Sequence, residues 1–234
     1  MTEPTTVESP AIDVSILRVF FGPDGGGGNL LGVVMDGAGV PVPVRQAVAA
    51  RLGYSETVFV DDASTGRIRI HTPSTELAFA GHPSVGTAWL LRERGIACEV
   101  LRPPAGDVAT WQDGEICWIR ADPAWIHPIT RVQLPTGGDV DALSGPPAGE
   151  GSYYAWAWLD ERAGIVRARY FAPAYGIPED EATGAAAVMI GGLLRRPFEI
   201  RQGRGSLLLV RPGSDGSVEV GGRAEAAGAR ELPR

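Results

Sequence analysis

Glu76-Leu77-Ala78-Phe79-Ala80-Gly81-His82-Pro83-Ser84-Val85-Gly86-Thr87-Ala88-Trp89-Leu90-Leu91 leaves an extended segment, turns a Gly-His-Pro corner and enters a helix that is apolar on nearly every side. A helix that shows no polar face for two turns is buried all round. Its first turn then aims free backbone N–H groups and a positive dipole end at whatever occupies the corner. Pro83 suits the first helical position. A titratable His82 at such a corner is either a cap or part of a site.

Outward from this stretch the chain reads as strands and turns. Towards the N-terminus, strands are expected over 14–21, 29–35, 55–60 and 67–71, with a helix over 43–52 closed by Gly53. Towards the C-terminus, strands are expected over 98–101, 107–112, 115–120, 153–159, 165–171, 198–202, 206–210 and 217–220. The segments 123–131 and 173–181 read as irregular, and 141–143 as a short helical piece. A second all-apolar helix is expected over Thr183 to Arg196.

The two halves echo each other. Arg67-Ile68-Arg69-Ile70-His71-Thr72-Pro73 is answered by Val166-Arg167-Ala168-Arg169-Tyr170-Phe171-Ala172-Pro173, and each precedes a small-residue turn and a buried helix. The expected fold is therefore α+β. It has two pseudo-symmetric domains, residues 11–105 and 106–234, each a curved, mostly antiparallel sheet wrapped round a central helix. If both helix N-termini point into one cleft, its free amides and dipole ends favour a small carboxylate there. They also favour the negative charge that develops when a proton leaves carbon.

Composition removes several alternatives. A net charge of −7 argues against a nucleic-acid partner. No apolar run is long enough to cross a bilayer, and the acidic N-terminus lacks a signal pattern, so the expected location is cytoplasmic. All 21 basic side chains are Arg, which excludes Schiff-base lysines, a pyridoxal anchor and a phosphate-loop lysine. Cys98 and Cys117, with His71, His82 and His127, show no metal-ligand spacing, and the cysteines are expected to be reduced. The glycines at 25–28 lead into a strand instead of a helix, which argues against a nucleotide loop.

Three residues carry candidate chemistry. By period two, Glu56 shares a strand face with Val58 and Val60. It is either a strand-end carboxylate in water or a base in an apolar pocket. Asp180 precedes the second helix, where it is either a dipole partner or part of a site. His82 keeps both of its readings.

Taken together, Gly27-Gly28-Asn29-Leu30-Leu31-Gly32, Ser55-Glu56-Thr57-Val58-Phe59, Ile68-Arg69-Ile70-His71-Thr72-Pro73, Phe79-Ala80-Gly81-His82-Pro83 with Gly86-Thr87-Ala88, Glu179-Asp180-Glu181-Ala182-Thr183-Gly184-Ala185, and Ile200-Arg201-Gln202-Gly203 resemble the PhzF-like phenazine-biosynthesis family of the diaminopimelate-epimerase fold. The resemblance implies a cofactor-free isomerase of a small carboxylic acid, usually a homodimer and acting in secondary metabolism. It places the proton-moving Glu on Glu56, with His82 and Asp180 positioning substrate and shuttling protons. Ser55, Gly81, Gly184 and Ala185 are then the substrate-binding positions. A two-thiol racemase is excluded, because the corresponding motifs carry His82 and Ala185. Ala185 stands where the family commonly has Ser, and His71 where it has an aromatic residue. These departures leave two other readings open: a binder of an acidic metabolite, or carbon–carbon cleavage or hydrolysis of another substrate.

Overall fold

The computed structural model describes residues 11–147 and 151–233; the acidic start of the chain, up to Pro10, lies outside them. The first elements are β1 (Ile12–Phe21), β2 (Gly27–Val34), α1 (Val42–Leu52), β3 (Glu56–Asp62), β4 (Arg67–His71), β5 (Glu76–Leu77) and α2 (Gly81–Glu93). There follow β6 (Val100–Leu101), β7 (Val108–Asp113), β8 (Ile116–Ala121), β9 (Thr130–Gln133), α3 (Gly137–Asp141), β10 (Tyr153–Asp160) and β11 (Ile165–Ala172). The chain closes with β12 (Ile177–Asp180), α4 (Gly184–Leu194), β13 (Phe198–Gln202), β14 (Ser206–Pro212), β15 (Val218–Gly222) and β16 (Ala224–Leu232).

The strands form two sheets, in the orders β16-β1-β2-β3-β4-β5 and β6-β7-β8-β15-β14-β13-β11-β10-β9, with β12 alongside β11. Pairing is antiparallel except at β2–β3, β9–β10 and β11–β13. Residue pattern explains the layering. In β4 the arginines are exposed and the isoleucines buried, as alternation requires. β3 is buried on both faces: Val58 and Val60 enter the main core, while Phe59 packs with Val48 and Leu52 of α1. α1 stops at Gly53, whose φ of 68° few other residues adopt and whose N–H bonds Ala49 O.

The duplication is visible in the order of elements. β2-α1-β3-β4-β5-α2-β6-β7-β8 is repeated as β9-α3-β10-β11-β12-α4-β13-β14-β15. Each copy has a parallel pair at its start, and the parallel β11–β13 pair matches the parallel bridge between Arg67 and Arg102. The expected division at 105/106 runs between β6 and β7, which pair with each other. We propose the two copies, breaking between Ala121 and Thr130, as the units of the duplication. α2 packs against strands of both sheets and α4 against β14 and β15, so one continuous core joins the copies.

Four expectations are corrected. The last strand, β16, was not expected; its small and charged residues hide the pattern, yet it pairs along β1. Part of 173–181 is β12, which the Asp180–Tyr170 pairing brings onto the sheet. The irregular 123–131 segment contains a single turn of 3-10 helix over Pro123–Trp125, and its end, at Thr130, opens β9. The short helix α3 starts earlier than expected because Thr136 and Asp139 form a reciprocal capping box.

Candidate active site

Glu56 opens β3 and faces the main core with Val58 and Val60, as period two requires. α2 begins at Gly81, with Ala80 as its N-cap, so His82 is the second helical residue and Pro83 the third rather than the first. Both positions lie in the first turn, where a missing proline N–H leaves no bond unmade. His82 Nδ1 stands 2.8 Å from Glu56 Oε2. The contact lacks hydrogen-bond alignment: Glu56 Oε2, like His82 Nε2, is buried without a hydrogen-bond partner. A buried polar atom left unsatisfied is costly unless something else binds it.

Asp180 ends β12. Its Oδ1 accepts from Asn29 Nδ2 and from Ser55 Oγ, both at 2.6 Å, and its Oδ2 accepts from Thr183 Oγ1 at 2.6 Å. Glu56, His82 and Asp180 are 8%, 2% and 3% exposed, so all three are buried. Burial is the main cause that raises the Asp180 pKa from 3.8 to about 6, and the nearby Glu56 charge adds to it. His82 and the hydroxyl bonds from Ser55 and Thr183 oppose the rise.

The two buried helices meet head to head. A Cβ on Gly81 would lie 2.7 Å from Gly184 Cα, and one on Gly184 would lie 2.7 Å from Gly81 Cα and His82 N. Only glycine permits this approach. Neither helix N-terminus has a side-chain cap, so no side chain satisfies its first amides. Thr183 occupies the N-cap of α4 but turns its hydroxyl to Asp180 instead.

The structure thus brings Glu56 and His82 into contact, abuts Gly81 and Gly184, and sets Ala185 in the uncapped first turn of α4. Ser55 is present but spends its proton on Asp180, which makes it a support of that carboxylate. Asn29, Thr183 and Gln202, which also hold Asp180, were not singled out from sequence as site residues. The available signal was a polar side chain inside an otherwise apolar strand or turn. A further polar group lies nearby: Tyr170 OH is 2.9 Å from Ser152 Oγ and 3.3 Å from His127 Nε2. Burial lowers the His127 pKa and raises that of Tyr170, and the Glu56 charge reaches both. His71 lies elsewhere, edge-on to Phe59 and 3.1 Å from Gln46 Oε1. Trp156 and Trp158 pack edge to face, with Trp158 also against Phe198, farther along the sheet.

Comparison with known proteins places the chain in a family. Residues 20–115 match the PhzC-PhzF family, described as phenazine biosynthesis-like protein. The trans-2,3-dihydro-3-hydroxyanthranilate isomerase of Pseudomonas fluorescens is 30% identical over 86% of this chain and 90% of its own. The chain belongs to the PhzF family. It is an isomerase of that family, as the names of its relatives support. An uncharacterized isomerase of Pasteurella multocida is 27% identical over 88% of this chain and 89% of its own. The fold of this PhzF-family chain is similar to the Bacillus anthracis PhzF-family protein, with TM-score 0.75 and 20% identity over 96% of this chain and 99% of that one. A probable proline racemase from Agrobacterium radiobacter shares the fold at TM-score 0.64 and 13% identity, covering 94% of this chain and 92% of that one. Among the described residues no helix is long and apolar enough to cross a membrane.

Proposed function

We propose that this PhzF-family isomerase moves a proton between two carbons of a small, cyclic or unsaturated carboxylic acid. The observation that supports this most is the buried Glu56–His82 contact, with His82 Nε2 left without a hydrogen-bond partner, beside two uncapped helix N-termini that meet. The substrate carboxylate takes the helix amides, which also stabilise the charge that forms as the carbon loses its proton. Glu56 takes that proton and returns it, now bound to its carboxyl, to a second carbon. No atom is gained or lost, so the product is an isomer. His82 holds the Glu56 carboxylate and offers Nε2 to the substrate. Asp180, with a pKa of about 6, exchanges protons near neutral pH at little cost.

The Pseudomonas fluorescens relative is named for trans-2,3-dihydro-3-hydroxyanthranilate, and that compound is the first substrate to test. A biosynthetic role in secondary metabolism, a cytoplasmic location and a homodimer belong to the same proposal. Ala185 motivates one competing reading, a relative that binds an acidic metabolite without converting it. Incubation with the dihydro compound, followed by NMR, separates the two. Conversion in wild type and its loss in His82→Asn and Asp180→Asn support the isomerase, whereas saturable binding without conversion of this or related acids supports the binder.

A further inference from the structure

The hydrogen bonds around Asp180 can be followed back to a residue outside the Glu56–His82 contact. Gln202, at the end of β13, is fully buried. Its Nε2 donates to the Asp180 carbonyl oxygen at 2.9 Å and to Thr183 Oγ1 at 2.9 Å. A carbonyl oxygen can only accept, so the amide cannot be reversed. Gln202 Oε1 is left buried without a partner, a cost the fold bears at this position alone among its glutamines.

The consequence passes to Thr183. Its oxygen already accepts from Gln202, and its single proton goes to Asp180 Oδ2. Oδ1 of Asp180 is filled from the other copy of the fold, by the Asn29 amide and the Ser55 hydroxyl. The Asn29 amide is fixed in the same way, because its Nδ2 also donates to the Ala182 carbonyl, at 3.1 Å. A carboxylate has about four acceptor sites. Two are taken on Oδ1 and one on Oδ2, so the vacant one is on Oδ2.

We propose that Gln202 is a positioning residue: it turns the Thr183 hydroxyl onto Asp180 Oδ2 and so leaves one lone pair of Oδ2 as the place where the proton is taken up and given back. This rests on the role given to Asp180 above. The groups that face Asp180 are Glu56 from β3, His82 from α2 and Tyr170 across the β11 pairing, besides the four polar side chains just described. Burial and Glu56 favour the protonated form, and the hydroxyl bonds from Ser55 and Thr183 both oppose it and fix where the proton sits.

The test is the titration of the Asp180 carboxyl carbon by 13C NMR without substrate, the signal being assigned by its loss in Asp180→Asn. Thr183→Val removes the hydroxyl, and Gln202→Met removes the amide while keeping length. Each is expected to raise the midpoint by about one pH unit, as losing a bond to the charged form does. The double variant is expected to go no further than Thr183→Val, because Gln202 acts through Thr183. Thr183→Ser, which keeps the hydroxyl, is expected to titrate as wild type. A wild-type midpoint in Gln202→Met, or shifts that add fully in the double variant, would overturn the proposal. Gln202→Asn, which keeps the amide but shortens its reach, carries the same expectation if Gln202→Met does not fold. Because no substrate is present, failure here leaves the isomerase reading standing, and failure of that reading leaves the titration interpretable.

Discussion

Gly184→Ala probes the contact between the two helices. The added carbon would lie 2.7 Å from three backbone atoms, Gly81 C, Gly81 Cα and His82 N. Ordinary contact begins at 3.4 Å, so the helix ends must part by 3.4 − 2.7 = 0.7 Å, and no side chain can swing aside to spare them. Overpacking of this kind costs about 1–3 kcal/mol. Alanine returns at most about 1 kcal/mol of helix propensity, and less in the first turn. The net expectation is a loss of about 1–2 kcal/mol in urea denaturation. The effect on rate should be larger, because the displaced atom belongs to His82 and a misplacement near 1 Å costs roughly 100-fold. We expect turnover to fall about 10- to 100-fold. Gly86→Ala is the control: its Cβ would press on Leu31 Cδ2 and Val19 Cγ2, side-chain ends that can yield, and should spare turnover more. Wild-type stability together with turnover within about twofold of wild type for Gly184→Ala would refute the head-to-head contact.

Other perturbations separate the remaining parts of the account. Asp180 titrates at about 6 when folded against 3.8 ordinarily, so the native state holds the extra proton between those values. Its stabilisation is complete below about pH 4 and is lost as pH rises through about 6, a swing of about 3 kcal/mol for two units. Asp180→Asn should therefore flatten the stability profile between pH 4 and 7 and gain stability at pH 7.5; a wild-type slope in that variant would contradict the burial argument. Ala185→Ser should tighten carboxylate binding about 2- to 10-fold in calorimetry through one added hydrogen bond, and no change would remove that position from the carboxylate site. Ending the chain after Arg223 removes β16 and its Glu225 partner of Arg18, and uncovers the edge of β1. Light scattering should then show association, and a monodisperse variant as stable as wild type would make β16 dispensable.

Much of this was legible in the chain because several local signals agreed. The all-apolar helices, the alternation in β4 and the glycine stop of α1 each follow from one residue pattern, and tertiary packing did not override them. Glu56, His82 and Asp180 stood out as candidates because polar residues at strand ends and helix starts contrast with apolar neighbours, but their proposed roles come from the family resemblance. β16 was not, since a sequence such as Ala-Glu-Ala-Ala-Gly-Ala-Arg carries no strand period and becomes a strand only by pairing with β1. β12 was hidden for the same reason. The missed supports of Asp180 were invisible because Asn29 in β2, Thr183 before α4 and Gln202 in β13 come from separate elements that only the fold brings together.

The central claim is that Glu56 moves the proton. Deuterium entering the substrate or product carbon from D2O, followed by NMR in wild type and in Glu56→Gln, tests it most directly. The account predicts incorporation by wild type and none by a folded Glu56→Gln that still binds the acid. Undiminished incorporation by Glu56→Gln would contradict it.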